Sequence, residues 1–120
     1  MKNMTIEELI NEYKQMTYVC SLIDYADMET VEQNNQAVNR MYEIIELIRN
    51  RKEKDEILEF SKLLDIEENR TDIWVAVQIL EMLEVDNDTE EKALRIIKKD
   101  AETSTGMKYW LEDYSRKKDL

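Results

Sequence analysis

The chain has 120 residues, with 17 Lys and Arg against 28 Asp and Glu, and a formal net charge of -11. This length predicts one compact domain, residues 1–120. With a single Gly, Gly106, and no Pro, the chain lacks the turn residues of all-β folds and the glycine-rich loops of parallel α/β folds. The composition therefore predicts an all-α protein.

Missing residue types argue against several functions. There is no His and one Cys, so the chain offers no imidazole base, no thiolate cluster and no intramolecular disulfide. No apolar run reaches the roughly 18 residues of a membrane span, and Met1–Thr5 does not lead into a signal-peptide core. The negative charge argues against binding to nucleic acid. We expect a cytoplasmic protein with no cofactor, metal ion or membrane partner.

The first predicted helix covers residues 5–26. Thr5–Glu8 has the pattern of a capping box, in which a Thr side chain and a Glu three residues later bond each other's backbone. Apolar residues then recur every three or four positions up to Cys20, the spacing of one helical face. Because Cys20 lies on that face, we expect a buried thiol that acts as a small hydrophobic group rather than as a nucleophile.

The second predicted helix covers residues 29–51, with Asp27 and Thr30 as candidate N-caps. Its apolar residues follow the same three-or-four spacing, which favours a helix with one buried face. The run Gln33–Gln36 is a poor helix interior, so we expect the first turns of this helix to be irregular.

Polar breaks separate the remaining helices. The third and fourth predicted helices cover 53–64 and 71–83, and Asn69 or Thr71 is expected to cap the fourth. A break and cap at Asp86–Thr89 precedes the fifth. The fifth predicted helix covers residues 89–99 and the sixth covers 103–117. We expect the tail, residues 116–120, to fray.

The short connections predict the architecture. Helices joined by short loops pack as antiparallel neighbours, which gives three hairpins: first with second, third with fourth, fifth with sixth. Stacked hairpins form the α-solenoids of HEAT and armadillo repeats, and we expect that arrangement. A closed six-helix bundle is the alternative, because helical periodicity fits both.

Acidic residues concentrate in the middle of the chain. Residues 53–91 have a net charge of -11, whereas 1–52 have -3 and 92–120 have +3. Between residues 81 and 91 there are six acids and no base. This run is either a solvated face or a docking surface that attracts a basic protein and speeds association.

A calcium loop starting at Asp86 is not expected. The sixth position of an EF-hand loop is glycine and the twelfth is a bidentate Glu, but Glu91 and Ile97 stand there. Enzymatic use of the carboxylates stays a minor alternative, because this many acids on six helices form close pairs by chance.

The aromatic residues Trp74, Tyr109 and Trp110 have two interpretations. Aromatic side chains at helical spacing usually belong to the core. Trp74 adjoins Ile73 on a short helix, so part of its side chain is expected to be exposed. Exposed aromatic residues beside acidic groups are common anchors of protein interfaces.

Several stretches of the chain also carry a family resemblance: Ala26–Thr30, Asn39-Arg40, Leu63-Leu64, Ile73–Leu80 and Ala93-Leu94. Together they resemble a family of small bacterial HEAT-like helical proteins, first catalogued as a domain of unknown function, over roughly residues 9–114. The small-residue pair of that family's fourth helix matches Val75-Ala76. Its Arg before that helix aligns near Asp72, and the nearest Arg here is Arg70.

Proteins of this shape are similar to immunity proteins of polymorphic and contact-dependent growth inhibition toxins. Such proteins bind a toxin domain, often a basic nuclease, inside the cell that makes it. The resemblance implies a non-catalytic protein that neutralises a basic nuclease toxin by occluding it. The alternative is a helical-repeat adaptor without a toxin partner. The residues expected to bind the partner are Glu67, Glu68, Asp72, Trp74, Glu81, Glu84, Asp86, Asp88, Glu90 and Glu91.

Overall fold

The computed structural model describes residues 4–118. They form six α-helices and two short 3-10 turns, Lys62–Asp65 and Glu68–Arg70, with no strand in this range. The prediction of an all-α fold is therefore confirmed. The helices are α1 (Ile6–Ser21), α2 (Met28–Arg51), α3 (Lys54–Ser61), α4 (Thr71–Met82), α5 (Asn87–Ala101) and α6 (Thr105–Lys118).

The start of α1 follows the prediction and its end does not. The capping box is present, with Glu8 N donating to Thr5 Oγ1 at 3.1 Å and Thr5 N donating to Glu8 Oε1 at 2.9 Å. The helix ends at Ser21 rather than at 26. The following loop is held by Thr30, whose hydroxyl accepts from Asp24 N and donates to Asp24 O, both at 2.9 Å. These local bonds replace helical ones.

Asp27 caps α2, because its side chain accepts from Glu29 N at 3.1 Å. The helix is regular through Gln33–Gln36, so the expected irregular first turns are wrong. Long α2 packs along α1, and its residues Ala37 and Met41 are buried. Tertiary packing of one face outweighs the weak propensity of four polar residues.

The segments around α4 differ from the prediction. The predicted third helix is divided, since α3 ends at Ser61 and continues as a 3-10 turn. Neither Asn69 nor Thr71 caps α4 with its side chain. The N-cap is Arg70, and both Asn69 and Arg70 have left-handed backbones, with φ of 57° and 58°. Thr71 is the first residue of the helix, and its hydroxyl donates to Glu68 O at 2.7 Å.

The fifth helix is longer than predicted at both ends, and the sixth begins two residues later and ends one residue later than predicted. Asp86 caps α5, confirming the predicted cap, and its carboxylate accepts from Thr89 N at 2.7 Å. The sixth helix extends to Lys118. Residues 119–120 of the expected frayed tail lie outside the described residues, so fraying stays a prediction.

Some helices that are consecutive in the chain pack on each other, as predicted, and others do not. The pairs α1–α2, α4–α5 and α5–α6 are in contact, whereas α3 packs on α1, α2 and the 3-10 turn that follows it. That turn packs on α4. The division into three stacked hairpins, and the choice between a solenoid and a closed bundle, stay predictions.

Two polar pairs cross the buried interface of α1 with α4 and its N-terminal turn. Tyr13 Oη donates to Gln78 Oε1 at 2.7 Å, and the Thr17 and Thr71 hydroxyls lie 2.9 Å apart. All four side chains are buried. Because a buried polar group needs a partner, these pairs specify how α1 faces α4.

An ion pair joins α1 to α2. Arg40 donates to Glu12 from Nε at 2.6 Å and from the second guanidinium nitrogen at 2.9 Å. This bidentate geometry is the stronger form of the pair. The hydrogen bond from Arg40 is the main reason that the pKa of Glu12 lies below its ordinary value.

Replacing Glu12 with Gln is expected to flatten the acid limb of the stability curve. Because its folded-state pKa is lowered, Glu12 stabilises the fold above its unfolded pKa of about 4.3, and this contribution is lost as pH falls through the folded-state value. Urea denaturation at neutral and acidic pH measures the effect. Glu46→Gln, at an exposed position of α2, is the control. An equal flattening in both variants would contradict the assignment.

Candidate functional site

The structure separates the predicted partner-binding residues into two groups at opposite ends of α4. Glu67, Glu68 and Asp72 lie at its N-terminal end, whereas Glu81 lies in its last turn and the other acids follow its C-terminal end. At 1.5 Å per residue, Asp72 and Glu81 are about 14 Å apart along the helix axis. The ten residues therefore do not form one compact site.

The N-terminal group has cations beside it. Glu67 and Asp72 line a cleft together with Lys92 and Lys99. Lys92 also pairs with Asp65 at the same cleft. These two lysines offset part of the negative charge of the cleft, which Asp65, Asp100 and Glu102 also line.

Asp72 has a structural role at this end. It is partly buried, and its Oδ1 accepts from Ile73 N at 2.9 Å. Burial raises its pKa, the hydrogen bond from Ile73 opposes that rise, and nearby Glu67 adds to it. Asp72 therefore has a local contact at the start of α4 in addition to its place in the cleft.

The C-terminal group is the more exposed one. We call it the acidic turn, and its members are Glu81, Glu84, Asp86, Asp88, Glu90 and Glu91. All are exposed except Glu90, which is partly buried. Glu81 accepts from Tyr42 Oη at 3.2 Å. The hydrogen bonds from Thr89 to Asp86 hold the pKa of that carboxyl below its ordinary value, so the cap is ionised at neutral pH.

Two lysines lie beside the acidic turn, and sequence analysis missed both. Lys54 of α3 shares a cleft with Glu84 and Asp86. Lys118 of α6 shares another with Glu84 and Glu90. Both lysines are more than 25 residues from Glu84 along the chain, so no local pattern points to them. They reduce the charge of the acidic turn without cancelling it.

Trp74 lies in a different place from the acidic turn. It is partly buried, as expected, and lines an open cleft of about 610 Å³. Trp110 lines the same cleft and stacks on Tyr114, with ring centroids 5.1 Å apart. Tyr109 is 68% exposed. Both tryptophans are thus partly buried, and each packs against buried residues of the core.

Cys20 also reaches the wall of this cleft. It is buried, as predicted, and burial raises the pKa of its thiol. A thiol with a raised pKa holds little thiolate at neutral pH and is a poor nucleophile. The position supports the interpretation of Cys20 as a small hydrophobic group.

The described residues were also compared with the requirements of a metal site and of a membrane-spanning helix. Between residues 4 and 118, no group of three or more His, Cys, Asp or Glu is placed to hold a metal ion. No helix in the same range combines the length and the apolar character needed to cross a bilayer.

Comparison with protein-family models, with curated proteins and with solved structures gives no match to this chain. The resemblance to small HEAT-like bacterial proteins and to toxin immunity proteins therefore stays a prediction. The acidic turn and the tryptophan cleft are the two features on which a function can be argued.

Proposed function

We propose that the protein is a non-catalytic binding module that docks a basic protein at the acidic turn, and that its partner is a nuclease toxin domain which it neutralises by occlusion. The observation that carries this proposal is the exposure of five of the six carboxylates of the acidic turn, which lie on the last turn of α4, the connection that follows it and the first turns of α5. The toxin partner comes from the family resemblance.

The acidic turn has the physical properties that such docking needs. Its carboxylates stand close together on the surface, so their potentials add and attract a basic partner before contact. A nuclease active site binds phosphates, and clustered carboxylates present comparable negative charge to it. The Asp86 cap fixes the start of α5, so Asp88 and Glu91 are carried on an ordered helix.

The Asp86 cap decides which substitutions can test the proposal. Changing Asp86 would remove an N-cap as well as a charge, so its effect on binding would be mixed with an effect on folding. Glu84, Asp88 and Glu91 are exposed and make none of the side-chain hydrogen bonds described for the acidic turn. They are the appropriate positions.

The triple variant Glu84→Gln/Asp88→Asn/Glu91→Gln is expected to slow association with the toxin domain by roughly tenfold at low salt. The difference should shrink at high salt, because screening weakens long-range attraction. The gene immediately upstream is to be identified first; if it encodes a large secreted protein with a variable C-terminal domain, that domain is the partner to use. Stopped-flow mixing gives the association rate, and nuclease activity and growth of toxin-expressing cells give the protection.

The matched control is Glu7→Gln/Glu32→Gln/Glu46→Gln. These three positions are also exposed, the change in net charge is the same, and Glu7 and Asp88 occupy the same position in the first turns of α1 and α5. Equal slowing by both triples would show that net charge alone matters. Tight binding without loss of nuclease activity would favour the adaptor over the immunity protein.

A further inference from the structure

An open groove lies between α4 and α6. Three adjoining clefts of about 610, 400 and 330 Å³ make it up. Trp110 lines the first and the second cleft, and Leu80 and Tyr114 line the second and the third. We call this continuous feature the α4–α6 groove.

The two helices run in the same direction along the groove. Trp74 shares the first cleft with Met107, and Glu84 shares the third with Lys118. At 1.5 Å per residue, the stretch of α4 from Ile73 to its end at Met82 is about 14 Å long, or about two and a half helical turns. The groove therefore has the length of a short helix.

The first cleft forms an apolar half of the groove. No residue of α6 is buried, so its apolar side chains are only partly covered by the fold. Tyr25, which is 81% exposed, stands at the rim. Half-buried aromatic residues around a cleft are typical of the places where interfaces bind anchor side chains. Its main apolar lining residues are Ile23, Ile73, Trp74, Val77, Met107 and Trp110.

The second and third clefts form an acidic half. Lys117 and Lys118 also line this half, and Lys117 pairs with Asp113 at 3.2 Å. Carboxylates outnumber ammonium groups here, so the acidic turn continues into the groove. The carboxylates that line this half are Glu81, Glu84, Glu90 and Asp113.

We propose that the α4–α6 groove binds an amphipathic, cationic helix of the partner protein. This inference rests on the proposed function and names the segment that the partner supplies. The apolar side chains of that helix pack on Trp74 and Trp110, and its Lys and Arg residues lie against Glu81 and Glu84. Helix-in-groove binding of this kind joins apolar anchors to flanking charges.

Charge selects this occupant over a second copy of the chain. A second copy would bring another net charge of -11 to a surface that is already acidic, and like charges repel. An acidic or neutral helix would find apolar contacts in the first cleft but would bring no cation to Glu81 and Glu84. A cationic amphipathic helix satisfies both halves.

Tryptophan fluorescence can report binding in the groove. The chain has two Trp residues, and both Trp74 and Trp110 line the first cleft. The probe is a synthetic helical peptide with Leu at i, i+3, i+4 and i+7 and Lys at the other positions. Its controls are a peptide of the same composition without that spacing, and the same helix with Glu in place of Lys.

Gly106→Leu is the variant that blocks the groove. Gly106 lines the first cleft, and a Cβ added there meets nothing within 4 Å. The larger side chain therefore enters open space, and Leu has the higher helix propensity. The control is Ser115→Leu, at an exposed position of α6 outside the lining of the clefts.

The binding of each peptide is measured by titration of tryptophan emission. We expect the Leu/Lys helix to bind the wild type and Ser115→Leu, and to bind Gly106→Leu at least tenfold more weakly. Both control peptides are expected to bind weakly. Equal binding to Gly106→Leu and Ser115→Leu would overturn the groove proposal. In the Glu84/Asp88/Glu91 triple variant, we expect weaker binding with the same final emission. Unchanged affinity there, with loss in Gly106→Leu, would support the groove and count against the acidic turn.

Discussion

Replacing Phe60 with Ala is expected to lower the free energy of unfolding by about 3–5 kcal/mol, the range for removal of a buried aromatic ring. Phe60 is 0% exposed, and its ring meets that of Tyr13 edge to face, with centroids 5.0 Å apart and an interplanar angle of 89°. It is the main apolar anchor of the short helix α3. Its removal leaves a cavity between α3 and α1.

Urea denaturation followed by circular dichroism measures this loss. Leu58→Ala is the matched control, because Leu58 lies on the same helix but is 50% exposed, and its truncation should cost about 1 kcal/mol or less. Similar losses in the two variants would show that α3 is not anchored through Phe60.

Replacing Tyr13 with Phe is expected to lower the free energy of unfolding by about 1–3 kcal/mol, since it leaves a buried acceptor without its donor. Tyr13 Oη donates to Gln78 Oε1, and Gln78 Nε2 already has no hydrogen-bond partner. After the substitution the whole amide of Gln78 would be buried without a hydrogen bond.

The double variant Tyr13→Phe/Gln78→Met separates this effect from packing. It removes both polar partners and keeps side chains of similar volume, so it should be close to wild type or more stable. Chemical denaturation of the single and double variants gives the coupling between the two positions. A double variant less stable than Tyr13→Phe alone would show that Gln78 has a further role in the core.

The sequence predicts the helices well where capping and spacing are local. Thr5 and Asp86 sit at helix starts because their side chains bond backbone groups only a few residues away, and such patterns are visible in the sequence. The loop after Ser21 was harder to predict, since Thr30 stabilises it from the next helix.

The candidate site was only partly predictable, for the same physical reason. The run of acids from Glu81 to Glu91 is local, and most of it is exposed as expected. The neighbours Lys54 and Lys118 and the continuous groove arise from packing between distant segments. Glu67 and Glu84 lie at opposite ends of α4, a separation that the run of acids in the sequence does not show.

Three non-glycine residues at helix junctions have backbone conformations that lower the stability of the fold. Lys52, Asn69 and Arg70 adopt left-handed backbones, with φ of 56°, 57° and 58°, whereas Gly106 has no positive φ. Non-glycine residues in that conformation cost roughly 1 kcal/mol or more each. Lys52 lines none of the three clefts of the groove, so the end of α2 is a place where the melting temperature can be raised without altering the groove.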